Sequence, residues 1–356
     1  MTIAYLGTVW NDSVGVDDYI SIIYKMDLDT GTILDQLNLA YEYEGVYCLE
    51  FYNGFMYGLT GICLIKVDLS TFTIVDTLST TPYPRTWTLC IDNINGFLYA
   101  QNQWGNQIIK VDLSTFEQVT PNVNIYPYYH HFPMMIDSSN GYLYGSCETS
   151  VPDHASHIWK MKLSDLTVSF SPWLSNAGGY QSFGIDIDNQ KIYYCASGVN
   201  PLHRINASDL SIEATLNLGL TFFPDDIIHI HNGHFYIFDG YSSNNILKFR
   251  ISDFTLVDTL AVTLPSPFTD QSGFWASQLD SANNCIYFSA GYVYPWNSDT
   301  VGFIAKLDLA TFTVSFIKEM KMSQGEYHIV CMLLAESISL PISSIYHKWH
   351  EPVVII

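Results

Sequence analysis

The chain is expected to be all-β: a single seven-bladed β-propeller of four-stranded antiparallel blades over residues 1–335, with an extended tail over 336–356. Three observations predict this. A strand pattern centred on a basic residue recurs seven times, hairpin turns rich in Asn and Gly precede it, and each end of the chain lacks what the other supplies.

The recurring strand reads Ile23-Tyr24-Lys25-Met26-Asp27-Leu28, then Leu64-Ile65-Lys66-Val67-Asp68-Leu69 and Ile108-Ile109-Lys110-Val111-Asp112-Leu113. Its basic residue falls at 25, 66, 110, 160, 204, 248 and 306, at spacings of 41, 44, 50, 44, 44 and 58. A short polar turn and a second strand follow, as in Ser70-Thr71-Phe72 before Thr73 to Leu78. Upstream, from the second unit onward, an apolar strand meets an Asn/Asp/Gly turn and a Tyr-rich strand. Examples are Cys90-Ile91-Asp92, Asn95-Gly96, Phe97-Leu98-Tyr99, and the turns Asn140-Gly141 and Asn232-Gly233. Asn-Gly between strand patterns signals a hairpin because both central residues of a type I′ turn need positive φ. Each unit is therefore four short strands, the size of a propeller blade.

Closure follows from counting. Residues 1–39 supply three strands without an innermost one, and Tyr327 to Leu334 has innermost-strand character with no hairpin after it. The C-terminal strand should complete the N-terminal blade, removing the free edges of an open array.

Composition excludes much else. The 356 residues carry 14 Lys+Arg against 35 Asp+Glu, a net charge of −21, with 48% hydrophobic and 15% aromatic residues. That apolar content is incompatible with disorder. No run approaches the roughly 20 apolar residues of a membrane-spanning helix, so membrane insertion is not expected. With so few cations the surface should repel nucleic acid. Met1 leads directly into Ile3-Ala4-Tyr5-Leu6, without the basic and apolar regions of a classical signal peptide. Seven cysteines without a CxxC argue against a disulfide framework.

The element Tyr24-Lys25-Met26-Asp27-Leu28-Asp29-Thr30-Gly31 resembles the Tyr-Lys-x-Asp-x-x-Thr-Gly element of the YVTN-like and quinoprotein-dehydrogenase-like propellers. Later copies replace the Gly with Phe72, Phe116, Leu166, Phe254 or Phe312. The resemblance is architectural and implies the propeller fold without any site residue.

Half of the basic residues sit at the repeat position, and Lys66 and Asp68 alternate with Ile65, Val67 and Leu69, so they share a face and can pair. In a propeller the loops between blades and those between the second and third strands share one face. Here each interblade loop carries an aromatic: Tyr43, Tyr83 and Trp87, Tyr128 and Tyr129, Tyr180, Phe223, Trp275 beside Asp270, and Tyr327. The long loop 291–301 adds Tyr294 and Trp296. Aromatics mixed with carboxylates and amides suit sugar rings or a protein partner, and they equally suit plugging the channel and packing between blades. Innermost strands align Cys48, Cys90, Met135, Gly184, His229, Gln278 and Cys331 at one register. That would gather three thiols in adjacent blades, as a soft metal site would require or as crowded strands would favour. Glu42, Glu44, Asp225, Asp226, Asp270 and Glu326 could hold Ca2+ at the channel mouth. His154-x-x-His157, His130-His131 and His229/His231 lack a third ligand at a telling spacing.

These features favour a non-catalytic binding or structural propeller displayed on a larger assembly, a virion or cell-surface component, with the cytoplasm left open. It would contact a glycan or protein through the acidic, aromatic loop face, with no resident cofactor. The alternative is a metal-dependent hydrolase or lyase working at the channel mouth. The tail, with Tyr346 and Trp349 and the ending Val353-Val354-Ile355-Ile356, is too apolar to stay free: either the propeller's own flank or a neighbouring subunit should cover it, and the second, which is favoured, would anchor the propeller to neighbouring protein subunits.

Overall fold

The structure is a computed structural model that describes residues 1–10, 21–39, 45–79, 86–102, 107–125, 128–149, 156–174, 181–196, 201–219, 227–239, 244–264, 274–290, 301–321 and 326–335. Blade 1 contains β1 (Ile3–Trp10), β2 (Ile22–Asp27) and β3 (Thr32–Asn38). Blade 2 contains β4 (Val46–Tyr52), β5 (Phe55–Thr60), β6 (Cys63–Asp68) and β7 (Thr73–Ser79). Blade 3 is β8 (Thr86–Asp92), β9 (Phe97–Asn102), β10 (Gln107–Asp112) and β11 (Glu117–Asn124); blade 4 is β12 (Tyr128–Asp137), β13 (Tyr142–Thr149), β14 (Ser156–Lys162) and β15 (Val168–Phe170). Blade 5 is β16 (Gln181–Asp186), β17 (Lys191–Ala196), β18 (Leu202–Asn206) and β19 (Ile212–Leu216). Blade 6 is β20 (His229–His231), β21 (His234–Asp239), β22 (Asn245–Arg250) and β23 (Thr255–Ala261). Blade 7 is β24 (Phe274–Asp280), β25 (Cys285–Ala290), β26 (Val301–Asp308) and β27 (Thr313–Lys321). The last strand, β28 (Glu326–Ala335), returns to blade 1 and pairs antiparallel with β1, Ile3 opposite Ala335 and Leu6 opposite Met332. Seven blades and C-terminal closure are as the repeat arithmetic required.

Each blade is buried on both faces because it is sandwiched between two neighbours, so its middle strands are apolar at nearly every position; β25, Cys285 to Ala290, is wholly buried. The core accordingly divides into seven clusters, one per seam between blades. Outer strands alternate far less and are mostly exposed. Five of them carry a one-residue bulge, the extra residue being Leu34, Val75, Glu213, Val257 or Ile317. A bulge twists an edge strand away from straight pairing, which blunts the aggregation hazard of seven exposed edges.

A repeated interblade latch sets the spacing of the ring. The second strand of every blade presents a buried tyrosine, Tyr5, Tyr57, Tyr99, Tyr144, Tyr193, Tyr236 or Tyr287, directly opposite the repeat cation on the third strand. Into it the next blade inserts the residue that replaced the motif glycine. Ring centroids lie 5.8 Å apart for Tyr5–Phe72, 5.9 Å for Tyr57–Phe116, 6.0 Å for Tyr193–Phe254 and 6.3 Å for Tyr236–Phe312. Leu166 and Leu210 play the part against Tyr99 and Tyr144. These six residues hold φ between 51° and 61°, a left-handed conformation ordinarily left to glycine. The strain costs about 1 kcal/mol each, whereas burying a Phe or Leu returns about 1.5–3 kcal/mol. Burial wins, and the glycine is dispensable.

Two expectations are corrected here. Lys66 does not turn to Asp68: its ammonium sits 4.4 Å from the Phe55 ring centroid and 5.8 Å from that of Phe116 in the next blade. Lys110 and Lys160 each lie 3.8 Å from a ring of their own blade, Phe97 and Tyr142, and Lys160 Nζ also donates to the Ala207 and Ser208 carbonyls of the next blade at 2.9 and 3.0 Å. A buried cation gains more from a dry ring face and carbonyls than from a carboxylate that stays in water. Asp68 meanwhile accepts from the Ser70 amide at 2.7 Å and the Ser70 hydroxyl at 2.6 Å, organising its own turn. Second, only Asn232-Gly233 of the three quoted hairpins has positive φ at both positions. At Asn95-Gly96 and Asn140-Gly141 the glycine alone is left-handed, and the Asn side chain donates back to Asp92 or Asp137 at 2.7 Å, closing a longer turn.

Candidate functional site

Strand direction sorts the molecule into two ends. The turns between first and second and between third and fourth strands lie at one end; the interblade loops and the loops between second and third strands lie at the other. The turn end is regular. Asp68, Asp112, Asp165 and Asp209 each accept from the side-chain hydroxyl and the backbone amide of the residue two on, and these hydrogen bonds hold their carboxyls below the usual carboxylate range. These acids are structural.

The loop end departs from the repeat. Innermost strands of blades 1, 2, 3, 4 and 7 are bulged near this end: β28 carries the extra residues Tyr327 and Val330, β4 Tyr47, β8 Trp87, β24 Trp275, and β12 His130 with one more between His131 and Met134. Bulges re-aim side chains and terminate pairing, and they concentrate beside binding sites. Four of these extra residues, Tyr47, Trp87, Trp275 and Tyr327, are Tyr or Trp. Blades 5 and 6 differ: β16 pairs without a shift and β20 is only three residues long, so the bulged strands form an arc from blade 7 round to blade 4.

Trp87, Tyr128, Tyr129 and Trp275 are thus the first or second residues of β8, β12 and β24, at the loop end as expected. Tyr43, Tyr83, Tyr180, Phe223, Asp270, Tyr294 and Trp296 lie outside the described residues, as do Glu42, Glu44, Asp225 and Asp226 of the suggested Ca2+ set and the tail residues Tyr346, Trp349, Val353, Val354, Ile355 and Ile356. Glu326 opens β28 at the loop end. Tyr47, half-buried beside Val46, carries no distinguishing signal in the sequence; its strand looks regular until the pairing of Val46 with Thr60 and Cys48 with Leu59 shows the extra residue.

The aligned inner layer is also corrected. Opposite the latch tyrosines stand Cys90, Met135, Gly184, His229 and Gln278, as the alignment predicts, but Glu50 faces Tyr57 and Leu333 faces Tyr5. A period-2 pattern looks the same after a slip of two residues, which is why it offers Cys48 and Cys331 as members of a layer they do not join. One thiol remains in it, and among the described residues no group of three or more His, Cys, Asp or Glu is placed to hold a metal. Three of the layer residues meet the next blade directly. The Cys90 thiol reaches the Met134 carbonyl at 3.1 Å, and a Cβ on Gly184 would collide with the Ile228 carbonyl. His229 Nε2 lies 2.7 Å from the Ser277 hydroxyl. Burial raises the Glu50 carboxyl to about 8, the Phe51 amide offsetting little of it, and lowers His229 to about 3. Both are neutral near pH 7. His231 and His157 are engaged with Asn284 at 2.9 Å and the Ser171 carbonyl at 3.0 Å.

No protein-family model matches the chain, and no curated protein matches it. Among solved structures it is similar to a chain of a nidogen/laminin complex (TM-score 0.51, 11% identity, covering 74% of this chain and 94% of that one). It is also similar to the hydrazine synthase of Kuenenia stuttgartiensis (0.59, 10%, 75% and 78%) and to the Cps50 (Swd1) β-propeller domain of Myceliophteria thermophila (0.58, 9%, 79% and 88%). At such identities the likeness concerns the fold. Among the described residues no helix is long and apolar enough to cross a membrane.

Proposed function

We propose that this chain is a non-catalytic binding propeller, displayed on a larger assembly such as a virion or cell surface, that recognises a glycan with the aromatics of its loop end and is held to neighbouring protein subunits by its tail. One observation carries the reading: β28 runs from the loop end to the turn end and finishes at Ala335 opposite Ile3, which itself faces Asp27 at the turn. The chain therefore leaves for the tail at the end opposite the bulges. That exit supports attachment and recognition on opposite faces. Aromatic bulge residues support a saccharide ligand because a flat ring packs against the C–H face of a sugar while neighbouring polar groups take its hydroxyls.

The test has two arms on the full chain. Replacing Tyr47, Trp87 and Trp275 together with Ala should abolish binding on a glycan array while leaving melting unchanged; retained binding would sink the recognition half. Removing residues 337–356 should block incorporation into the assembly without lowering the monomer's melting temperature. Normal incorporation, or a large drop in melting temperature, would assign the tail to the propeller's own flank instead.

A further inference from the structure

Six seams of the ring are latched alike, and the seventh is not. Between blades 7 and 1 the inserted residue is Gly31, φ 66°, whose Cβ position would lie 3.1 Å from the Ile317 carbonyl. The blade 1 turn rides directly on the backbone of β27 and inserts no side chain against Tyr287, which is met across the seam by a hydrogen bond with the Thr2 side chain and not by a packed ring or Leu. The packing around it is correspondingly different. This cluster contains Met26, Met320 and Met332 with Ala4 and Ala276, and among the described residues Tyr287 is its one buried aromatic. The seam between blades 5 and 6 instead stacks Tyr193 on Phe235 at 4.5 Å and Phe235 on Phe249 at 4.7 Å, with Phe254 against them. Methionine fills space adaptably but specifies geometry poorly, whereas ring pairs contribute beyond their buried area.

We infer that the seam between blades 7 and 1 is the ring's gate, opening reversibly ahead of every other seam. Opening exposes the blade 7 face of β1 and β2 and gives lateral access to the axial channel without breaking any strand pairing inside a blade.

The chain carries its own reporters. Cys285 is buried in the gate seam, Cys147 between blades 3 and 4, and Cys195 between blades 5 and 6, each at 0% exposure. Labelling the native full-length protein with a thiol reagent, quantified per peptide by mass spectrometry and divided by the rate in the unfolded chain, reads the opening of each seam. Cys285 should be modified at least tenfold faster than Cys147 or Cys195. A rate for Cys285 equal to or below that of Cys195 would overturn the gate. The second arm weakens one latch: Phe254→Ala should raise the Cys195 rate to that of Cys285 and leave Cys147 unchanged. If that variant does not fold, Phe254→Leu, the residue type blades 4 and 5 already use, should raise it several-fold. An unchanged Cys195 rate in a folded variant would show that the latch does not govern opening.

Discussion

At the turn end of the blades the same residues recur for the same reasons: an Asp that ties down its turn, a left-handed Phe or Leu, a tyrosine and a cation that receive it. At the loop end the innermost strands of five blades bulge, and Tyr47, Trp87, His130 and Trp275 occupy four of the extra positions. The two ends belong to the same strands, so the difference is not one of fold. Six of the seven seams share one solution for fitting a blade against its neighbour, and the turn end records it. A ligand bound at the channel mouth, as proposed, would meet several blades at once without sevenfold symmetry, so nothing would select repetition there. Stability should therefore be lost by changes at the first end and binding by changes at the second.

The largest effect is expected at a latch. Phe254→Ala should cost about 3–5 kcal/mol in urea unfolding. Phe254→Gly should cost about 1 kcal/mol less than Ala, despite removing more, because it releases the strain at φ 56°; a Gly variant weaker than the Ala variant would refute the left-handed argument. Next comes the inner layer between the ends. Glu50 is raised from 4.5 to about 8 in the folded protein, so it holds its proton there and releases it on unfolding. Its contribution is complete below about pH 4.5 and is lost as pH rises through 8. The loss is a few kcal/mol at most, since each pH unit in that window is worth on the order of 1.4 kcal/mol. Glu50→Gln should flatten that slope in a pH series of denaturation midpoints. His229 acts in the opposite direction: lowered from 6.5 to about 3, it removes stability as pH falls through that window, and His229→Gln should shrink the acid limb. Lys160→Met, which keeps the stem but loses the ring contact and two carbonyl bonds, should cost about 1–2 kcal/mol. The smallest change in stability is expected at the loop end. Tyr47→Ala should shift unfolding by about 1 kcal/mol or less and act on ligand affinity, measurable by titration against a glycan identified on the array.

The ring was legible because hairpin chemistry and a strand pattern centred on a basic residue survive along the chain, and so was the closing strand, because residues 1–39 visibly lacked one. The register of that innermost layer was not, since Cys48 and Glu50 lie on one strand face and pattern alone does not choose between them. Nor was the role of the cation: alternation places Lys66 and Asp68 together but says nothing of which ring or turn lies across the seam. The latch had left a signal, Phe or Leu standing where the motif has glycine, which reads as decay of the repeat until the tyrosine opposite is seen. Bulges leave less. One inserted residue in a strand of seven to ten changes no composition, and its position appears only in the pairing.

The direction in which β28 leaves the ring also sets its mechanics. A pull on the chain beyond Ala335 acts along the strand, so the ladder from Ile3–Ala335 to Gly7–Cys331 is loaded in shear and its hydrogen bonds bear the force together. Pulled from the other end, across the ladder, the same bonds would break singly and in succession under a far smaller force. A propeller suspended from its last strand thus resists traction best along its own axis.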